Sequence, residues 1–90
     1  MVELTDLALG DEYWIDRAKL KQFLRLRGLY PTRQKWIPLQ VIITDLNGRL
    51  DKEYGYLIGV YFKYAEKGHS KTLQVIPLNT LVRKVKHNGK

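Results

Sequence analysis

Residues 36–64 read WIPLQVIITDLNGRLDKEYGYLIGVYFKY, and this stretch decides the fold. Its second half alternates cleanly. Tyr54, Tyr56, Ile58, Val60, Phe62 and Tyr64 fall on one side, and Gly55, Leu57, Gly59, Tyr61 and Lys63 on the other. A period of two is that of a β-strand with two different faces. The first half, Trp36 to Thr44, behaves alike: Ile37, Leu39, Val41 and Ile43 share one face, and Trp36, Gln40, Ile42 and Thr44 the other. Pro38 has no N–H to give a ladder, which places it near the strand's beginning or on an open edge. Asp45-Leu46-Asn47-Gly48 predicts the turn, because Asn-Gly accommodates positive φ at both central positions of a tight hairpin. Leu50 to Glu53 then reads as a loose extension. Gly55 and Gly59 allow the second strand to bend or another backbone to approach closely.

Outward from this hairpin the elements are shorter. Leu4 and Leu7 have helical spacing, with Thr5 or Asp6 as a candidate cap, and Gly10-Asp11 reads as a turn. Glu12-Tyr13-Trp14-Ile15 is a strand by its aromatic and β-branched content. Residues 16–28 support two readings. In one, Asp16 caps a helix whose apolar side is Leu20, Phe23 and Leu24, stopped by Gly28. In the other, Phe23 to Arg27 forms a strand with Arg25 and Arg27 on one face. The helix reading, or a short irregular excursion, is preferred because it has a cap, a stop and good helix formers. Tyr30-Pro31-Thr32 is an extended link. After the hairpin come a loop at residues 66–70, a strand at Lys71–Leu78 ended by Pro77, and a 3₁₀ turn at residues 79–81 capped by Asn79. A last short strand, Val82–Val85, precedes a frayed basic tail at residues 86–90. Residues 1–90 are expected to form a single domain.

Two stretches carry an architectural resemblance: Gly10-Asp11-Glu12-Tyr13-Trp14-Ile15 at the start and Val75-Ile76-Pro77-Leu78-Asn79-Thr80-Leu81-Val82 at the end. A first strand, an excursion, a long bent hairpin, a further strand, one 3₁₀ turn and a closing strand resemble the SH3-like or Tudor-like small barrel. The resemblance implies a mainly β chain of about five strands. The competing expectation is an α+β winged-helix-like domain, which also joins a basic helix to a hairpin but normally needs three helices.

Chemistry has little foothold in the sequence. With no cysteine there is no disulfide and no thiolate metal site. The first residues, MVELTDLALGDE, lack a charged-then-apolar signal pattern, and no apolar run approaches the roughly 20 residues that span a bilayer. A cytoplasmic protein with no membrane partner is therefore expected. Ser70, the only serine, directly follows His69, and adjacent side chains on an extended chain point apart, so the pair is a poor nucleophile and base. Asp45, Asp51 and Glu53 surround the turn and are read as turn chemistry and solubility rather than as a cation site. No glycine-rich phosphate loop and no metal-ligand spacing occurs. The expectation is a non-enzymatic chain with no cofactor, no metal and no small-molecule substrate.

Charge is the stronger signal. The net charge is +7, unevenly distributed. Residues 1–15 carry four acids and no base, whereas residues 16–35 carry seven bases and one acid, and residues 83–90 carry four bases and no acid. Such segments attract polyanions. Phe23, Tyr30 and Trp36 lie within or beside the first, and aromatics beside Lys and Arg suit nucleic acid, where bases stack and phosphates pair. The expected function is a small basic DNA- or RNA-binding domain, making mainly backbone contacts with low sequence specificity. Its candidate contacts are Lys19, Lys21, Arg25, Arg27, Arg33, Lys35, Trp36, Arg83, Lys84 and Lys86. The alternative is a protein–protein interaction module, or an accessory subunit of a larger complex, that binds an acidic partner surface. A patch of Ile42, Leu57 and Tyr61 on the outer sheet face would favour that alternative or a homo-oligomer.

Overall fold

A computed structural model describes residues 2–28, 37–64 and 68–86. The predicted Tyr30-Pro31-Thr32 link, the loop residues 66 and 67 and the tail beyond Lys86 lie outside the described residues. After a 3₁₀ turn at Leu4–Asp6 the elements are β1 (Glu12–Ile15), α1 (Arg17–Leu26), β2 (Gln40–Asp51), β3 (Gly55–Tyr64), β4 (Gly68–His69), β5 (Gln74–Pro77), a second 3₁₀ turn (Leu78–Thr80) and β6 (Leu81–Lys84). The chain is mainly β, with one α-helix among the described residues.

All strands are antiparallel and form one sheet. β2 lies between β1 and β3, β6 flanks β1, and both β5 and the two-residue β4 pair with β3. The second 3₁₀ turn joins β5 to β6, at the two ends of this order. The arrangement is thus barrel-like in strand order. No ladder joins β5 to β6 among the described residues, so hydrogen bonds do not close the sheet into a barrel. With a single α-helix among the described residues and a mainly β chain, the winged-helix alternative falls.

The excursion resolves as a helix for local reasons. The Asp16 side chain accepts the N–H of Lys19 at 3.1 Å, Leu20, Phe23 and Leu24 are buried, and Gly28 follows at φ 73°. These three side chains join one core with Tyr13 and Ile15 of β1, Val41 and Ile43 of β2, Ile58, Val60 and Phe62 of β3, Ile76 and Leu81. They are the inward-pointing positions of their strands, so α1 lies against the inner face of the sheet. The side predicted for Ile58, Val60 and Phe62 is this inner face.

The hairpin differs from its reading. Asn47-Gly48 is no turn: β2 runs on to Asp51, and the chain reverses over Lys52-Glu53-Tyr54. Asp51 Oδ1 accepts the N–H groups of Glu53 at 2.8 Å and Tyr54 at 3.1 Å, and Gly55 follows at φ 77°. The loop is three residues long, and the left-handed glycine directly follows it as the first residue of β3. The ladder slips between Ile43 and Asp45, and again between Asp45 and Arg49, so β2 carries extra residues that bend it. The Thr44 hydroxyl is buried at the first slip with no hydrogen-bond partner.

Smaller corrections concern ends and faces. The predicted strand from Trp36 begins only at Gln40, after buried Ile37 and Pro38, and the predicted strand from Lys71 begins at Gln74. The second 3₁₀ turn starts one residue earlier than expected. Thr80, not Asn79, secures it, donating to the carbonyl of Pro77 at 2.7 Å. β6 is likewise shifted one residue toward the N-terminus. Leu57 is not part of an outer patch: it is 1% exposed and belongs to the core.

Candidate functional site

The basic residues divide between two sides of the sheet. On the inner side, α1 turns Lys19, Lys21 and Arg25 to solvent because Leu20, Phe23 and Leu24 are held in the core. Its ten residues hold four bases and no acid. Arg17 has a structural task, since its Nη2 donates to the carbonyl of Ile37 at 2.9 Å and ties the helix start to the approach of β2. Arg27, just past the helix, lies 5.4 Å over the Phe23 ring, which itself meets Tyr54 edge-on at 4.9 Å. Arg27 and Arg49 flank Asp51. Its carboxyl is held below its ordinary value of 3.8, first by the two N–H groups it accepts and then by these cations. Arg27 and Arg49 also line a shallow cavity of about 280 Å³ with Asp45, Asn47, Leu73 and Val75.

The outer side is built by strand register. Trp14 pairs with Gln40 on one side and Arg83 on the other, and Gln40 pairs with Lys63. Residues directly opposite in an antiparallel ladder point to the same face. Glu12, Ile42 and Tyr61 form the next row. A register slip where Ile15 pairs Leu81 leaves both Val82 and Arg83 opposite Trp14. The guanidinium of Arg83 then sits 5.4 Å over the Trp14 ring. On this face Lys63 Nζ meets Glu12 Oε1 at 2.8 Å; the second ion pair, Lys84 Nζ to Asp11 Oδ1 at 3.4 Å, lies on the other side of β1, where Lys84 pairs with Tyr13. Tyr13, on the inner face, has its phenol pushed up by burial and then by Asp11.

Of the candidate contacts, Lys19, Lys21 and Arg25 therefore share the helix surface, with Arg27 beyond its end. Arg83, Lys84 and Lys86 are exposed on or beside β6, and Lys84 is ion-paired. Arg83 stands with Trp14 on the outer face, away from the helix cluster, whereas Lys84 pairs with Tyr13 and is turned to the inner side. Arg33, Lys35 and Trp36 lie outside the described residues. The sequence reading did not place Trp14 beneath Arg83 or Arg49 beside Arg27. The first depends on a strand register, and the second was obscured by placing the turn at Asn47-Gly48.

Among the described residues, no group of three or more His, Cys, Asp or Glu side chains is placed to hold a metal ion, and no helix is long and apolar enough to cross a membrane. Asp45 and Asp51 accept backbone N–H groups of the bent hairpin, from Asn47 at 2.8 Å and from Glu53 and Tyr54 as above. These elements define a small, basic, mainly β domain with charged surfaces on two sides. Comparison with protein-family models, curated proteins and solved structures finds no match to this chain.

Proposed function

We propose that this chain is a small, non-enzymatic, cytoplasmic nucleic-acid-binding domain that holds the phosphate backbone with low sequence specificity. The observation that carries the reading is α1: four bases and no acid in ten residues, with Lys19, Lys21 and Arg25 exposed and the apolar side locked in the core. A rigid helix with that composition presents several cations at once, which is what releases counterions from a polyanion. Titration against single-stranded DNA, duplex DNA and RNA at two salt concentrations tests it. Binding that weakens steeply with salt is expected, and no binding to any of the three at low salt overturns the reading.

A second reading has its own observation. β5 pairs only with β3 among the described residues, and Leu73 and Val75 beside that edge are 53% and 50% exposed. A peptide from an acidic protein partner would add a strand to this edge and cover both side chains. Recovery of one stable protein partner, together with no nucleic-acid binding, favours this reading.

A further inference from the structure

We infer that the outer sheet face centred on Trp14 is a base-stacking surface, which makes unpaired nucleic acid the preferred ligand; this rests on the nucleic-acid reading above. β1 is half-buried in alternation: Tyr13 and Ile15 enter the core, while Glu12 and Trp14 face outward. Trp14 is thus a large aromatic ring on a partly exposed sheet face, at a position where its own strand pattern does not require a core residue.

Its surroundings match one ligand chemistry. Arg83 lies over the indole at 5.4 Å, so a cation accompanies the ring. Tyr61 stands on the same face about 12 Å from Trp14, counting two strand spacings across and two residues along. Extended single strands place successive bases several ångströms apart, so two aromatics at this separation suit bases one or two nucleotides from each other. Lys63 and Arg83 bring positive charge to the same face, in the row of Trp14 and Gln40. The Lys63–Glu12 pair is partly open to solvent, where such pairs are weak, so Lys63 can exchange carboxylate for phosphate at small cost. A duplex keeps its base faces within its own stack and offers this surface only phosphates. Unpaired bases offer both parts.

The test uses Trp36→Phe, which leaves Trp14 as the sole indole. Its fluorescence is followed on titration with oligothymidine, oligouridine and a duplex of equal length. Single strands are expected to quench Trp14 more strongly than the duplex. In the otherwise unaltered chain, Trp14→Ala should weaken single-strand binding by roughly 5- to 100-fold with little change for duplex, and Trp14→Phe should restore most of the affinity. The quenching measurement needs no change at Trp14, so it decides the matter even where Trp14→Ala fails to fold. Single strands bound without quenching, or bound equally by a folded Trp14→Ala variant, overturn the stacking surface and leave the backbone-binding reading standing. Absence of binding to every oligonucleotide at low salt overturns both.

Discussion

Gly48 runs so close to the carbonyl oxygen of Leu57 that no side chain fits between them. This lies within the second register slip, between Asp45 and Arg49, and it makes Gly48 a matter of space rather than of positive φ. Gly55 is the opposite case: its φ is 77°, and a Cβ there would meet nothing within 4 Å. Gly48→Ala forces backbone against backbone and is expected to cost about 3 kcal/mol. Gly55→Ala only strains its own left-handed conformation, at about 1 kcal/mol. Urea denaturation of both variants measures the difference. A larger loss at Gly55 than at Gly48 would refute the bent hairpin described here.

The same pair shows how far the sequence could be read. A tight turn and a close backbone approach both select glycine, so Asn47-Gly48 gives a signal with two physical causes. The deciding residues were Asp51, whose carboxylate gathers two N–H groups, and Gly55. The inner face of β3 was legible because Ile58, Val60 and Phe62 alternate without interruption. Leu57 was not, because it is buried although its place in the alternation opposes that of Ile58, Val60 and Phe62, which makes its burial a tertiary event. The cap, apolar spacing and stop of α1 were all local and were readable. The surface on which each basic cluster lies was not, since it depends on which side of the sheet the helix docks. Arg83 over Trp14 depends on a register slip between strands from opposite ends of the chain, which leaves no local trace.

Asp51 gives the hairpin an acid-sensitive contact. Its folded-state carboxyl lies below the ordinary 3.8, first through the N–H groups of Glu53 and Tyr54 and then through Arg27 and Arg49. A lowered folded pKa means that the charged form favours folding. The contribution is therefore fully present above the ordinary carboxylate value and is lost as pH falls through the folded value. Asp51→Asn retains an acceptor without the charge, and Asp51→Ala removes both. At neutral pH the melting temperature should fall in the order wild type, Asn, Ala. The gap between wild type and Asn should close as the pH falls below the ordinary carboxylate value and through the lower folded one. A gap that stays constant through that range would contradict the charge's role.

The helix is held by packing more than by its cap. Leu20 is fully buried, and Leu20→Ala should cost about 3 kcal/mol, the transfer term plus the cavity left behind. Asp16→Ala removes the acceptor for the Lys19 N–H and should cost about 1 kcal/mol. For a domain of this size the first loss is a large part of total stability, so chemical denaturation should show a much earlier midpoint for Leu20→Ala. Similar midpoints for the two would mean that the helix contributes little to the core.

The two basic surfaces should separate by salt and by ligand. Lys19 and Lys21 are exposed on α1, so replacing both with Ala should leave stability within about 0.5 kcal/mol of the parent. If each meets a phosphate, the slope of log affinity against log salt should flatten by about 2, equally for single strands and duplex. Arg83→Ala removes a cation that also lies over Trp14, so it should weaken single-strand binding more than duplex binding. Affinities measured at three or four salt concentrations for each variant resolve the two contributions. An unchanged slope for the double lysine variant would remove α1 from the interface, and equal losses on both ligands for Arg83→Ala would make that residue a phosphate contact alone.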